Sequence, residues 1–164
     1  MNGQTAVIKS TRRNKPIDCG AVLLEQVPRL SECPALIRHF LVFALQKLVC
    51  EDRINAFLID NAMTRDFAFI DQVFQHLKID YRAGGRGIEN IPPKGRVIIV
   101  ANHPLGGLDG LALLRLVSNV RRDVRIVVNE LLLHISQLNN LSLPVDVIGG
   151  KTKKADIYRV RQAL

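Results

Sequence analysis

The apolar positions of this chain change rhythm near Ile79. Before it they recur every three or four residues, as in Ile37, Leu41, Ala44 and Leu48, and again in Phe67, Ile70, Phe74 and Leu77. That spacing gathers apolar side chains on one face of an α-helix, so three or four helices are predicted between Cys19 and Leu77. Pro28 and Pro34 punctuate the first of them, and Asn61-Ala62-Met63-Thr64 breaks the pattern before Asp66 opens the last.

Beyond Ile79 the glycines and prolines Gly84, Gly85, Gly87, Pro92, Pro93 and Gly95 make a turn-rich passage. It leads into Val97-Ile98-Ile99-Val100, a continuous β-branched run that reads as a buried strand. The apolar stretch Leu108 to Val117 and a second run at Val124 to Val128 complete a strand-helix-strand rhythm. Leu131 to Leu138 reads as a short helix, Leu143 to Ile148 as a third strand, and Ile157 to Leu164 has helix-forming composition. The predicted class is α/β, with N-terminal helices followed by a partial sheet covered by helices. We divide the chain into a basic mobile arm over 1–18, a helical region over 19–80 and the first part of an α/β domain over 81–164, forming a single domain overall. Three strands are few for such a sheet, and the last helix stops without a Gly or Asn cap, so the chain is expected to be the front part of a longer polypeptide.

Composition narrows the setting. Hydrophobic residues make up 48% of the 164, enough for a core, but no apolar run approaches the ~20 residues of a spanning helix. The first sixteen residues lack the apolar stretch of a secretory signal. Cys19, Cys33 and Cys50 are odd in number, with no CxxC spacing and no histidine at ligand distance in sequence, which indicates neither a disulfide framework nor a metal site. A cytoplasmic location fits.

The net charge of +8 is uneven. There are 11 basic and 9 acidic residues through Arg82, against 12 and 6 from Ala83 onward. A basic second half attracts polyanions, whether lipid headgroups, phosphorylated substrates, acidic carrier proteins or nucleic acid. Nucleic acid is disfavoured by the 5% aromatic content, the absence of tryptophan and the lack of a helix-turn-helix, RRM or zinc pattern.

Chemistry concentrates in Asn102-His103-Pro104-Leu105-Gly106-Gly107-Leu108-Asp109. His103 follows a predicted strand and Asp109 opens the following helix, and a strand-end loop is where α/β proteins place their sites. With Gly106 and Gly107 between them, the Asp109 carboxylate is able to fold back onto one imidazole nitrogen and leave the other as a base. Backbone N–H groups after Gly107 stand ready for an anion or a developing oxyanion. The motif holds no serine or cysteine, which removes local support for a Ser-His-Asp hydrolase. The plain alternative is that Asp109 is only a helix cap and the glycines only a loop. His39, His76 and His134 sit in helical patterns, where a surface or hydrogen-bonded role is the simpler reading.

The passage Gly87-Ile88-Glu89-Asn90-Ile91-Pro92, followed by Gly95 to Pro104, resembles the lysophospholipid acyltransferase superfamily, which includes 1-acylglycerol-3-phosphate acyltransferases. The Asn-His-Pro-Leu-Gly-Gly-Leu-Asp-Gly form is similar to its hemolysin-like or ornithine-lipid acyltransferase branch. Weaker similarity runs through Glu51 to Tyr81, Asn129 to Leu132 and Pro144 to Val147. The resemblance implies an O-acyltransferase with His103 as the base on the acceptor hydroxyl, Asp109 as its orienting carboxylate, and Asn102, Gly106, Gly107 and Lys151 as substrate-binding positions. It implies no bound cofactor, with acyl-CoA or acyl carrier protein as co-substrate, a lysolipid acceptor of the lysophosphatidate or lyso-ornithine class, and a peripheral place at the inner face of the membrane. Two departures stand out. Five residues separate His103 from Asp109 where the superfamily pattern has four, and its later Phe-Pro-Glu-Gly block does not occur before Leu164. A non-catalytic lipid or membrane-surface binding module is the competing expectation.

Lys151, Lys153, Lys154, Arg159 and Arg161 are candidates to meet a phosphate or an acidic carrier, or else form a solvated helix face. Phe40, Phe43, Arg38 and Lys47 fit a helix at a membrane surface, although core packing accounts for the same apolar residues.

Overall fold

The computed structural model describes residues 15–84, 87–145, 158 and 160–162. The chain divides into two compact units, Met1–Ile59 and Asp60–Leu164.

In the first unit, α1 (Cys19–Gln26) is capped by Asp18, whose carboxylate accepts from the Ala21 N–H at 2.9 Å. Pro28–Glu32 forms a 3-10 turn, and Pro34 precedes α2 (Ala35–Leu48), which packs on α1. Cys50, in the left-handed conformation at φ 54°, turns the chain into α3 (Glu51–Asp60). Two polar residues one turn apart on α3, Glu51 and Asn55, are only 2% and 5% exposed. They hold down residues 15–18, assigned from sequence to the basic arm. The Asn55 amide brackets Ile17, accepting its N–H and donating to its carbonyl, both at 2.8 Å. Glu51 takes the Lys15 ammonium at 3.0 Å on one oxygen and the Cys19 N–H at 3.1 Å on the other. Every strong polar group buried here is therefore matched, as a low-dielectric setting requires.

In the second unit, α4 (Asp66–Leu77) and α5 (Gly107–Ser118) pack on each other. Phe69, Ile70 and Phe74 of α4, Leu114 and Val117 of α5, and Leu138 and Leu141 form the buried core. Phe67 and Leu77, the outer members of the predicted stripe, are half-buried and exposed. Arg115 of α5 ties the two helices together. Its guanidinium lies 5.0 Å from the Phe74 ring centroid and 5.8 Å from that of Tyr81, with Nε 2.8 Å from the Asp71 carboxylate. The sheet consists of β1 (Ile126–Asn129) and β2 (Ser142–Val145), which pair in parallel with Ile126 opposite Ser142 and Asn129 opposite Val145.

The α/β class with N-terminal helices holds, and three local expectations are corrected. Val97 to Val100 is not a buried strand: among the described residues it pairs with no strand, and Ile98 and Val100 are 70% and 88% exposed. A β-branched run becomes a strand only where its N–H and C=O groups meet those of a neighbour in register, and among the described residues β1 and β2 pair only with each other. Leu131 to Leu138 is not a helix but parts of two 3-10 turns, Glu130–His134 and Ser136–Leu138, interrupted at Ile135 by a backbone at ψ 80°. In α2 the apolar stripe Ile37, Leu41, Ala44 and Leu48 is exposed, as are Phe40 and Phe43, for which core packing is an available account from sequence, and no residue of that helix is buried. The predicted third strand survives as β2, and its continuation from residue 146 lies outside the described residues.

Burial alone would raise the Glu51 pKa, but the hydrogen bonds from Lys15 and Cys19 and the Lys15 charge outweigh it and hold the carboxyl below its ordinary value. The same contact raises Lys15, chiefly through the hydrogen bond. A depressed carboxyl stabilises the folded state above its unfolded pKa of about 4.3 and loses that contribution as pH falls through the folded value. The raised lysine contributes below the ordinary lysine range and loses its share as pH rises above it. Urea titrations should therefore show wild type more stable than Glu51→Gln near neutrality, with the gap closing in acid and narrowing in strong alkali. Asn55→Ala, which removes both bonds to Ile17, should cost about 1–3 kcal/mol in the same measurement.

Candidate functional site

The His103 motif opens α5. His103 starts a turn in which its carbonyl accepts the Gly106 N–H at 3.0 Å, with Pro104 supplying the fixed φ that a second turn position favours. Gly106 then adopts φ 66° and ψ −127°, a conformation disfavoured for residues with a Cβ, and acts as the N-cap of α5. Nothing lies within 4 Å of where a Cβ on Gly106 would sit, so the requirement for glycine is one of backbone angle, not of space. Asp109, in the first turn of α5, reaches back so that its Oδ2 accepts the Leu105 N–H at 2.7 Å. The acceptor sits at the third helical position and its donor is the residue just before the N-cap, so the bond ties the first turn of α5 back to the loop, and the helix dipole favours the negative charge there.

The carboxylate thus fixes the backbone on the far side of the turn from His103. Its bond is to the loop, and no hydrogen bond or ion pair joins Asp109 to the imidazole. The fifth intervening residue is accommodated by the Pro104–Gly106 turn. His103 and Asn102 are exposed, Gly106 is half-buried, and Gly107 is the exposed first residue of α5. Lys151 lies outside the described residues, as do Lys153, Lys154 and Arg159.

His103 also lines a cavity of about 960 Å³ between the unpaired Val97–Ala101 segment, α5 and β1. Leu113, Leu114, Val117, Ile126 and Leu143 give it apolar walls. Its polar lining includes residues that sequence reasoning passed over, namely Asp66, Arg121, Arg122 and Arg125. Arg121 is a brace: Nε and Nη2 each lie 2.8 Å from the Asp123 carboxylate, and Nη1 donates to the carbonyls of Pro92 and Gly95 at 3.1 and 2.9 Å. It thereby pins the Gly/Pro-rich passage leading to His103, and the Asp123 hydrogen bond raises its pKa. Arg122 stacks 5.7 Å from the Phe67 ring centroid. Asp66 accepts from Asn140 Nδ2 at 3.1 Å through one oxygen, while the other is buried without a partner. The signal for the arginines was present as Arg121-Arg122-Asp123-Val124-Arg125, a run overshadowed by the β-branched residues beside it.

Comparison with known proteins bears on this geometry. The family described as Acyltransferase matches residues 27–162. A lyso-glycine lipid O-acyltransferase of Phocaeicola vulgatus is 33% identical over 118 residues, which cover 71% of this chain and 42% of that protein. A lyso-glycine lipid O-acyltransferase of Bacteroides thetaiotaomicron is 33% identical over 138 residues, covering 84% of this chain and 49% of that protein. The chain therefore spans less than half the length of these relatives. No solved structure matches it.

The loop geometry makes a stability prediction independent of chemistry. Gly106→Ala should destabilise the chain by roughly 1–2 kcal/mol through its backbone angle. Asp109→Ala should cost about 1 kcal/mol, and Asp109→Asn less, because its amide oxygen still accepts from Leu105. Chemical denaturation followed by circular dichroism measures all three.

Proposed function

The chain belongs to the acyltransferase family, and from that premise we propose that it carries the His103 half of an active site that moves a fatty acyl group from a thioester to a hydroxyl of a lysolipid. The observation that carries this reading is the placement of His103, the one imidazole among the described residues lining the cavity, on a loop whose backbone is fixed by Asp109. Alkyl chains need apolar walls, and a base needs to stand where the hydroxyl and the carbonyl meet. In the proposed step the imidazole takes the acceptor's hydroxyl proton as the oxygen attacks the thioester carbonyl. The C–S bond then breaks, and the departing thiolate receives the proton back from the imidazolium. The exposed α5 N-terminus after Gly106 supplies N–H groups for the oxyanion.

The names of the relatives point to lyso-glycine lipid as the acceptor to try first, ahead of lysophosphatidate or lyso-ornithine lipid. Arg122 and Arg125 are the cations suited to the phosphates of coenzyme A or the acidic surface of an acyl carrier protein. A lipid acceptor places the work at a membrane, for which we propose peripheral association with its inner face. The fraction of the relatives' length that the chain spans keeps a second reading open, a lipid-binding module without turnover.

Lyso-glycine lipid incubated with acyl-CoA, or with acyl carrier protein thioester, should yield the diacylated product. His103→Ala should lower the rate by roughly 10²–10⁴, the usual share of a general base. An unchanged rate in that variant would remove His103 from the mechanism. Lipid binding with no product from either donor would favour the non-catalytic module.

A further inference from the structure

Helix α2 is amphipathic in the reverse sense. Val42 faces α1, since a Cβ on Gly20 would lie 2.9 Å from its Cγ1, and Arg38, Leu45 and Gln46 are half-buried on the same side. At 100° per residue, Leu36, Ile37, Phe40, Leu41, Phe43 and Leu48 fall on the opposite arc. Their exposures are 85%, 52%, 69%, 39%, 56% and 82%. An isolated exposed leucine needs no explanation, but six large apolar side chains on one arc of a 14-residue helix form a patch that calls for an apolar environment.

The charges beside the patch select the occupant. From Cys33 to Cys50 the chain has no acidic residue, and Lys47 stands on the outward arc with His39 at its border, while Arg38 lies on the covered side. Lys47 Nζ sits 5.8 Å from the Phe43 ring centroid and 3.9 Å from the Asp52 carboxylate, so a cation stands among the apolar side chains with a long stem free to lift its charge. Arg38 donates to the Ser31 carbonyl through Nη1 at 3.3 Å. A second copy of the chain docked through this arc would bring two acid-free, cationic helices together, which like-charge repulsion opposes. A bilayer with anionic headgroups offers an apolar layer for the phenylalanines and leucines and negative charge for the cations above it. Among the described residues no helix is long and apolar enough to span that layer.

We propose that the outward arc of α2 docks the chain on an anionic phospholipid bilayer, with Phe40 and Phe43 inserted below the headgroups and Lys47 at their level. This rests on the lipid-acting reading above only for its biological sense, and the test does not require turnover. The chain has no tryptophan, so Phe43→Trp provides a single reporter. Its emission should shift to the blue on adding phosphatidylcholine vesicles containing about a third phosphatidylglycerol, and far less with phosphatidylcholine alone, because each cation near an anionic surface adds to binding. In flotation with the same anionic vesicles, the Phe40→Ser/Phe43→Ser double variant should bind at least roughly tenfold more weakly than wild type. Lys47→Gln should lose binding by about fivefold. Circular dichroism on each variant separates lost docking from lost folding, and the Phe43→Trp shift stands even if the double variant does not fold.

His103→Ala should float like wild type, so a failed acyl transfer assay leaves this result intact. Three outcomes overturn the proposal: no flotation of wild type with anionic vesicles, binding unaffected by the double substitution in a folded variant, or a dimer in gel filtration that the double substitution dissociates.

Discussion

Parallel strands need partners on their edges and cover on both faces, and among the described residues of the second unit β1 and β2 pair only with each other. β1 and β2 pair along one edge each through four residue pairs. Pro144 within β2 lacks an N–H, which suits it to an outer position. The Val97–Val100 run, chemically the most strand-like piece of the sequence, stands beside this pair without joining it. The space left between them is the cavity that His103 lines. Among the described residues, the candidate site thus lies along the gap between the Val97–Ala101 segment and β1.

Within that setting the motif is ordered by local means. A proline-led turn, a glycine at positive φ and an aspartate bonded to a backbone N–H all act within eight residues, so the loop's shape does not wait on distant packing. Distant contacts brace it from two sides. Arg115 locks α5 against the Phe74–Tyr81 pair, and Arg121 ties the passage before the motif to the segment after α5. The histidine is carried on a loop held at both ends, while its ring remains exposed.

What the sequence made legible, and what it hid, divides along physical lines. Period and punctuation located α2, α4 and α5 because helices form from contacts three and four residues apart, which a reader sees directly. The turn at Asn61 to Thr64 and the rise of α4 at Asp66 were legible for the same reason. Periodicity does not say which face is covered, however, and in α2 the apolar face at Ile37, Leu41 and Leu48 turned outward while Arg38 and Gln46 turned in. Glu51 and Asn55 escaped notice because polar residues at i and i+4 look like a solvated face. Their burial depends on Lys15 and Ile17, 36 and 38 residues away. Val97 to Val100 failed as a strand because residue type records a preference, and pairing requires a second chain segment in register. The motif was legible as a loop entering a helix, but the Asp109 bond to Leu105 was not, since spacing cannot tell a backbone N–H from an imidazole as the carboxylate's partner.

The Asn55 clamp bears on the order in which the chain takes shape during synthesis. Residues 15–17 belong to no helix or strand and are held by Glu51 and Asn55, so they stay unfixed until Asn55 has been made and α3 has formed around it. Once that helix is out, the contacts that define the first unit have both their ends available, long before His103 is added. A growing chain proceeds from the N-terminus at roughly 5–20 residues per second, slow against the microseconds in which helices form. The first unit therefore has several seconds in which to assemble alone, and its outward-facing α2 meets the cell before the candidate site exists.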